Sequence, residues 1–123
     1  YSLYLHGEKW FNANTVNEAY KLNQKAYAVV GTDKNIEKSF INVNKGNVII
    51  ETIKQAEDNN GIIIRVYECE NSLTKATITL NDLNINSIEE CNLIENFEKE
   101  VEFNNNSFEF TIKPYEVKTF RIK

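Results

Sequence analysis

VIIETIKQAEDNNGIIIRVYE, from Val48 to Glu68, is the stretch that decides the fold. Two apolar runs rich in β-branched residues flank a polar, glycine-containing turn, Glu57-Asp58-Asn59-Asn60-Gly61. That arrangement predicts a β-hairpin with a wide connection. It is answered near the C-terminus by PYEVKTFRI, Pro114 to Ile122, where a proline suited to a sheet edge precedes an alternating strand. The chain is therefore expected to end in a sheet, with its last residues inside the fold. Neither segment carries a group placed for chemistry.

Working outward, strands are predicted over residues 1–6, 39–43, 48–54, 61–69, 74–80, 87–93, 101–103, 107–113 and 117–122, separated by short polar turns. Alternation is clean in two of them: Ala76, Ile78 and Leu80 oppose Lys75, Thr77 and Thr79, and Phe108, Phe110 and Ile112 oppose Glu109 and Thr111. One helix is predicted over 12–24, where Val16, Ala19, Tyr20 and Asn23 share a face. Thr15-Val16-Asn17-Glu18 matches a capping box and would start the ordered turns at Thr15. The apolar stripe is narrow, so the helix is expected to lie on a larger body. From Tyr27 onward, seven or eight short strands define a mainly β protein, an antiparallel β-sandwich (or partly closed barrel) with one short N-terminal helix. Residues 1–123 form one expected domain, with the strand and helix of residues 1–26 leading into it.

The chain has 123 residues, 41% hydrophobic and 26% charged, enough for one core without metal or disulfide staples. Its net charge of -4 and its lack of any Lys/Arg run argue against a nucleic-acid partner. No apolar stretch approaches the roughly 18 residues that a membrane span needs. Cys69 and Cys91 lack metal or redox spacing and read as reduced, packed thiols, with a disulfide between sheets as the alternative. Asn105-Asn106-Ser107 matches the glycosylation tripeptide, which matters only in an exported eukaryotic setting.

His6 is the single histidine, without partners at the spacing of a metal centre or a Ser/His/Asp relay. Glu51, Glu68 and Glu70 could pair across neighbouring strands as glycosidase carboxylates do, but strand acids more often face water or pair with cations such as Lys54 and Arg65. Tyr1, Tyr4, Trp10 and Phe11 make an aromatic lead-in to the helix, suited to an interdomain contact or to stacking on a sugar ring. Gly31-Thr32-Asp33-Lys34 is a turn without the glycines of a phosphate loop, and Asp58, Asn59 and Asn60 lack a full calcium-loop spacing.

The ordered succession YSLYLHG (1–7), VNEAYKLNQ (16–24), VIIETIKQAED (48–58), IIIRVYE (62–68), ECNLIE (90–95) and PYEVKTFRI (114–122) resembles the C-terminal end of family 38 glycoside hydrolases, the α-mannosidases. The ETIKQAED hairpin and the final PYEVKTFRI are its most specific parts. The chain departs from the family at Leu5, where a proline usually precedes the histidine, and over residues 29–44, which match loosely.

The resemblance implies a multidomain parent that hydrolyses terminal α-mannosidic bonds with retention, through an Asp nucleophile and a zinc ion in an N-terminal catalytic domain absent here. This chain is then a C-terminal β-sandwich accessory domain, with no catalytic, cofactor-binding or metal-binding residue of its own. Glu51, Glu57 and Glu68 match family positions, with sheet and turn architecture as their expected duty. Its partners would be the upstream domains of the same polypeptide and, through the parent, mannose-containing glycans. The alternative is an independent carbohydrate-binding module for such glycans; an autonomous glycosidase would need two acids facing each other in a cleft. The resemblance and the Asn/Ile-rich composition point to a cytoplasmic, bacterial parent.

Overall fold

The computed structural model describes residues 2–31 and 37–123. The chain divides into two compact units, residues 1–38 and 39–123. Tyr1 and the Thr32-Asp33-Lys34 part of the expected turn lie outside the described residues.

In the first unit, helix α1 spans Thr15–Asn23. Asn14, at φ 57°, takes the N-cap position, so Thr15 is already the first helical residue. The predicted capping box does not form. The Thr15 hydroxyl oxygen is buried without a hydrogen-bond partner among the described residues, and Glu18 turns along the helix to Lys21, 2.6 Å away. No residue of the helix is buried, so the expected seating on a larger body is not seen among the described residues. Residues 2–6 are not a strand. A strand needs a neighbour for its backbone donors and acceptors, and no pairing among the described residues involves this segment.

The second unit is a sandwich of two antiparallel sheets. Among the described residues its strands are β1 (Ile41–Val43), β2 (Val48–Gln55), β3 (Ile62–Glu68), β4 (Thr74–Leu80), β5 (Ile88–Cys91), β6 (Phe97–Glu100), β7 (Ser107–Ile112) and β8 (Val117–Ile122). The smaller sheet runs β1-β4-β7 and the larger β2-β3-β8-β5-β6. The closing strand is thus central in the larger sheet, paired with β3 on one side and β5 on the other. The sixth strand lies at Phe97–Glu100, not at the expected 101–103. All four of its residues are exposed, so pairing to β5 defines it and no burial pattern marks it in the sequence.

Alternation sends Ala76, Ile78, Leu80, Phe108, Phe110 and Ile112 inward from the smaller sheet, to meet Val48, Ile64, Val66, Ile88, Phe120 and Ile122 from the larger. Phe108, Phe110 and Phe120 interlock at the centre, with Phe120 4.9 Å from each of the other two rings. A bulge at Glu51 shifts the β2–β3 register between Ile50 and Thr52, so side chains beyond it change face.

The β2–β3 hairpin closes as its composition predicts. Ala56 N–H donates to Gly61 O at 3.0 Å, and Asn59 N–H donates to Ala56 O at 2.9 Å. Asn59 sits at φ 60° and Gly61 at φ 103°. A Cβ on Gly61 would lie 2.4 Å from the Ile122 carbonyl oxygen, a backbone atom of the central strand that cannot swing away. Gly61→Ala is therefore expected to cost about 2 kcal/mol or more, from unfavourable φ and the clash together. Urea unfolding followed by far-UV circular dichroism measures it; an unchanged midpoint would show that the turn relaxes freely.

Asn71 and Asn105, at φ 59° and 55°, close two further turns. Asparagine is among the few side-chain-bearing residues that tolerate this region, which gives the abundant asparagine a structural use.

Candidate functional site

The described lead-in aromatics are half-exposed: Tyr4 46%, Trp10 44% and Phe11 37%. They are fixed by the turn that precedes α1. The Tyr4 hydroxyl donates to Ala13 O at 3.0 Å, and Thr15 N–H donates to Trp10 O at 3.3 Å. Trp10 and Phe11 stand edge to face at 5.6 Å and 85°, with the Lys9 ammonium 5.8 Å from the Phe11 ring centre. This geometry makes a compact aromatic knob; two rings at right angles share no flat platform. The His6 ring tilts against Tyr4 at 5.5 Å, and its Nδ1 lies 2.6 Å from Glu8 O.

The three acids proposed as a carboxylate group separate. Glu51 is exposed on the bulge, where the Thr52 hydroxyl donates to it. Glu70 contributes its backbone, not its carboxylate: its N–H donates to Glu68 Oε1 at 2.8 Å. Glu68 is buried, 1% exposed. Its Oε1 also accepts from Asn47 Nδ2 at 2.9 Å, and its Oε2 from Tyr115 N–H at 3.0 Å. Burial alone would push this carboxyl up, but the Tyr115 N–H, Asn47 and the Glu70 and Ser72 N–H groups hold it below the ordinary carboxylate range. Glu68 is a knot between the start of β2, the β3–β4 loop and the turn before β8.

A second charged network lies on the other side of the larger sheet, around loop 92–96. Glu95, 7% exposed and at φ 66°, accepts from Lys54 Nζ at 2.7 Å and Glu57 N–H at 2.8 Å. Those two donors hold its carboxyl below the usual range. Arg121 Nη1 donates to Asp58 Oδ2 at 2.7 Å and Nη2 to Glu95 O at 3.0 Å, while its buried Nε has no partner among the described residues. Arg65 Nη2 donates to Leu93 O at 3.1 Å. Apart from this network, on the core-facing side of the sheet opposite Phe120, Glu90 is buried between Lys118 and Lys99; burial pushes it up and the two ammonium groups pull it lower overall.

Glu68, Glu90 and Glu95 therefore each point at donors or cations, and each is held more acidic than usual. A proton-donating glycosidase carboxyl needs the opposite shift. These acids serve architecture. Cys69 and Cys91 are free and buried, with burial raising both thiols. Among the described residues no three His, Cys, Asp or Glu side chains gather to hold a metal ion. No described helix is long and apolar enough to cross a membrane.

The pairing of Arg121 with Asp58 and with the Glu95 carbonyl was not legible in the sequence. The available signal was Arg121 itself, a charge between the apolar Phe120 and Ile122, where an acidic partner had to be supplied from elsewhere.

Two packed antiparallel sheets define a β-sandwich, and comparison with known proteins gives its lineage. The chain belongs to the family described as glycosyl hydrolases family 38 C-terminal beta sandwich domain, whose pattern matches residues 47–120. It is similar to Alpha-mannosidase G of Dictyostelium discoideum, at 36% identity covering 98% of this chain. The chain spans 12% of that relative's length.

Proposed function

We propose that this chain is the non-catalytic C-terminal domain of an α-mannosidase, braced against the other domains and shaping the outer wall of their substrate cleft. The observation that carries the reading is the match over 98% of this chain to 12% of a protein named an α-mannosidase. The engagement of Glu68, Glu90 and Glu95 by fixed donors and cations supports it, because among the described residues no buried acid is left poised for proton transfer. In this reading the complete polypeptide hydrolyses terminal α-mannosidic bonds with retention. The Asp nucleophile and the zinc ion both belong to a catalytic domain outside this chain. The half-exposed knob of Tyr4, Trp10 and Phe11 is an interdomain contact.

The test compares the complete polypeptide with this chain alone on an aryl α-mannoside. Turnover by the complete polypeptide, and none by the chain, is expected. Turnover by the chain alone would overturn the reading. A titration of mannose and a short α-mannan fragment, followed by backbone amide resonances, is expected to leave the chain's spectrum unchanged. Saturable shifts centred on Tyr4, Trp10 and Phe11 would instead make it a carbohydrate-binding module in its own right.

A further inference from the structure

The two outer faces of the sandwich differ in kind. Outward positions of the smaller sheet are polar: Asn42, Lys75, Thr77, Thr79, Glu109 and Thr111. That is how a sheet face meets water. The outer face of the larger sheet carries Lys54, Arg65, Glu89 and Arg121 but, unlike the other, also presents Val117, 46% exposed, and Phe97, 57% exposed, with Leu93 and Ile94 beside them at 61% and 76%. Register places them together: Phe97 pairs with Cys91, Cys91 with Thr119, and Val117 follows two residues back on the same face. Leu93, Ile94 and Val117 also line one groove of about 470 Å³, edged by Glu98 and Glu116.

The loop that carries Leu93 and Ile94 is held with unusual thoroughness. Asn92 Oδ1 accepts from Ile94 N–H at 3.1 Å and Asn96 N–H at 2.9 Å, and Glu95 N–H donates to Asn92 O at 3.0 Å. Arg65 grips the Leu93 carbonyl and Arg121 the Glu95 carbonyl, while the Glu95 side chain is buried against Lys54 and Glu57. Glu95 also holds a positive φ of 66°. Strain at a non-glycine residue persists only where its surroundings over-determine it. Here those surroundings keep two branched aliphatic side chains out in water. That cost is recovered when a partner buries them, because a fixed loop loses little entropy on docking.

We propose that Leu93, Ile94, Phe97 and Val117 form the seat on which another domain of the same polypeptide docks. The inference rests on the reading of this chain as one domain of a longer mannosidase. The occupant follows from length: the matched relative holds 88% of its residues beyond the portion this chain spans, taking 12% from the whole. Glu98, exposed at the groove, favours a partner surface with an apolar centre and a Lys or Arg at its rim, whereas Glu116 is already engaged by the Lys113 N–H and Lys118.

The test uses the complete polypeptide and Leu93→Glu with Ile94→Glu, both on side chains that the β-sandwich does not bury. Hydrogen exchange of peptides covering residues 91–97 and 115–119 is expected to accelerate on the order of tenfold in the double variant. Peptides from β3 and β4 should keep their protection, showing that the sandwich is intact. A control pair on the opposite face, Asn42→Glu with Thr111→Glu, should change neither region. Equal exchange at 91–97 in wild type and variant would overturn the proposal. So would protection that appears only as protein concentration rises, which would place a second copy on the seat. If the variant accelerates exchange but the wild-type polypeptide cleaves no α-mannoside, the docking seat stands and the mannosidase reading falls.

Discussion

Replacing Glu68 with glutamine is expected to destabilise residues 39–123 by about 2–4 kcal/mol, although the two side chains are nearly isosteric. The reason is the direction of the hydrogen bonds. Every contact to Glu68 comes from a donor: Asn47 Nδ2 and Glu70 N–H to one oxygen, Tyr115 N–H to the other. Glutamine replaces one acceptor with an NH2 group, so whichever way its amide is turned, one side meets a donor with a donor. The side chain is 1% exposed, so water cannot fill the mismatch. Urea unfolding of wild type and variant gives the difference. A loss under about 1 kcal/mol, the worth of a single ordinary hydrogen bond, would mean that the knot is dispensable.

The same residue predicts how stability follows pH. The Glu68 carboxyl is held below its ordinary value of 4.5, so the folded state favours its charged form. Its contribution is then fully present above about 4.5 and is lost as pH falls through the depressed folded value. Asp58, Glu90 and Glu95 are also lowered and act in the same direction. Wild type should lose stability on acidification below that value. The Glu68→Gln variant, with one such group fewer, should show a shallower fall. Parallel pH profiles for the two proteins would count against a charged Glu68 in the folded state.

What the sequence showed and what it hid divide along physical lines. The strands Thr74–Leu80 and Val117–Ile122 were legible to the residue, because a half-buried or buried run in a two-sheet sandwich writes its period into the chain. The hairpin turn was legible because Asn59 and Gly61 occupy the conformations those residues favour. The edge strand Phe97–Glu100 was not, since exposed residues on both faces leave no period to read. Residues 2–6 misled in the opposite way. Their apolar alternation looks like a strand, yet Leu3 and Leu5 are 84% and 83% exposed. Glu68 was read only as one of three strand acids with Glu51 and Glu70, because whether a strand acid faces catalysis or a ring of backbone N–H groups depends on loops distant in sequence. Tyr115 lies 47 residues away. The docking seat was hidden for the same reason: Leu93, Phe97 and Val117 become neighbours only when β5, β6 and β8 pair.

Phe120→Ala should be the most damaging single truncation, at about 3–5 kcal/mol. Phe120 is fully buried on the central strand of the larger sheet, paired with Ile64 on one side and Glu90 on the other. Its ring meets Phe108 and Phe110 of the smaller sheet at 4.9 Å each, with interplanar angles of 65° and 57°. Truncation therefore removes hydrophobic burial, two favourable tilted ring contacts and the bridge between sheets at once. Two stacked sheets cannot move together to fill the gap without breaking register elsewhere, so most of the cavity cost should remain. Against a typical total of about 5–15 kcal/mol for a domain, the loss would leave the sandwich only marginally folded. Phe120→Leu retains most of the volume and should cost roughly 1–2 kcal/mol, which separates the loss of volume from the loss of aromatic contacts. Equal losses for the two variants would show that ring geometry, not filled space, joins the sheets. The neighbours of Phe120 along β8 are Thr119 and Arg121, which face the opposite side, where Arg121 grips the Glu95 carbonyl. A core that loosens at Phe120 should therefore also release loop 92–96, and faster amide exchange there in the Ala variant would tie the packing of the sandwich to the surface it presents.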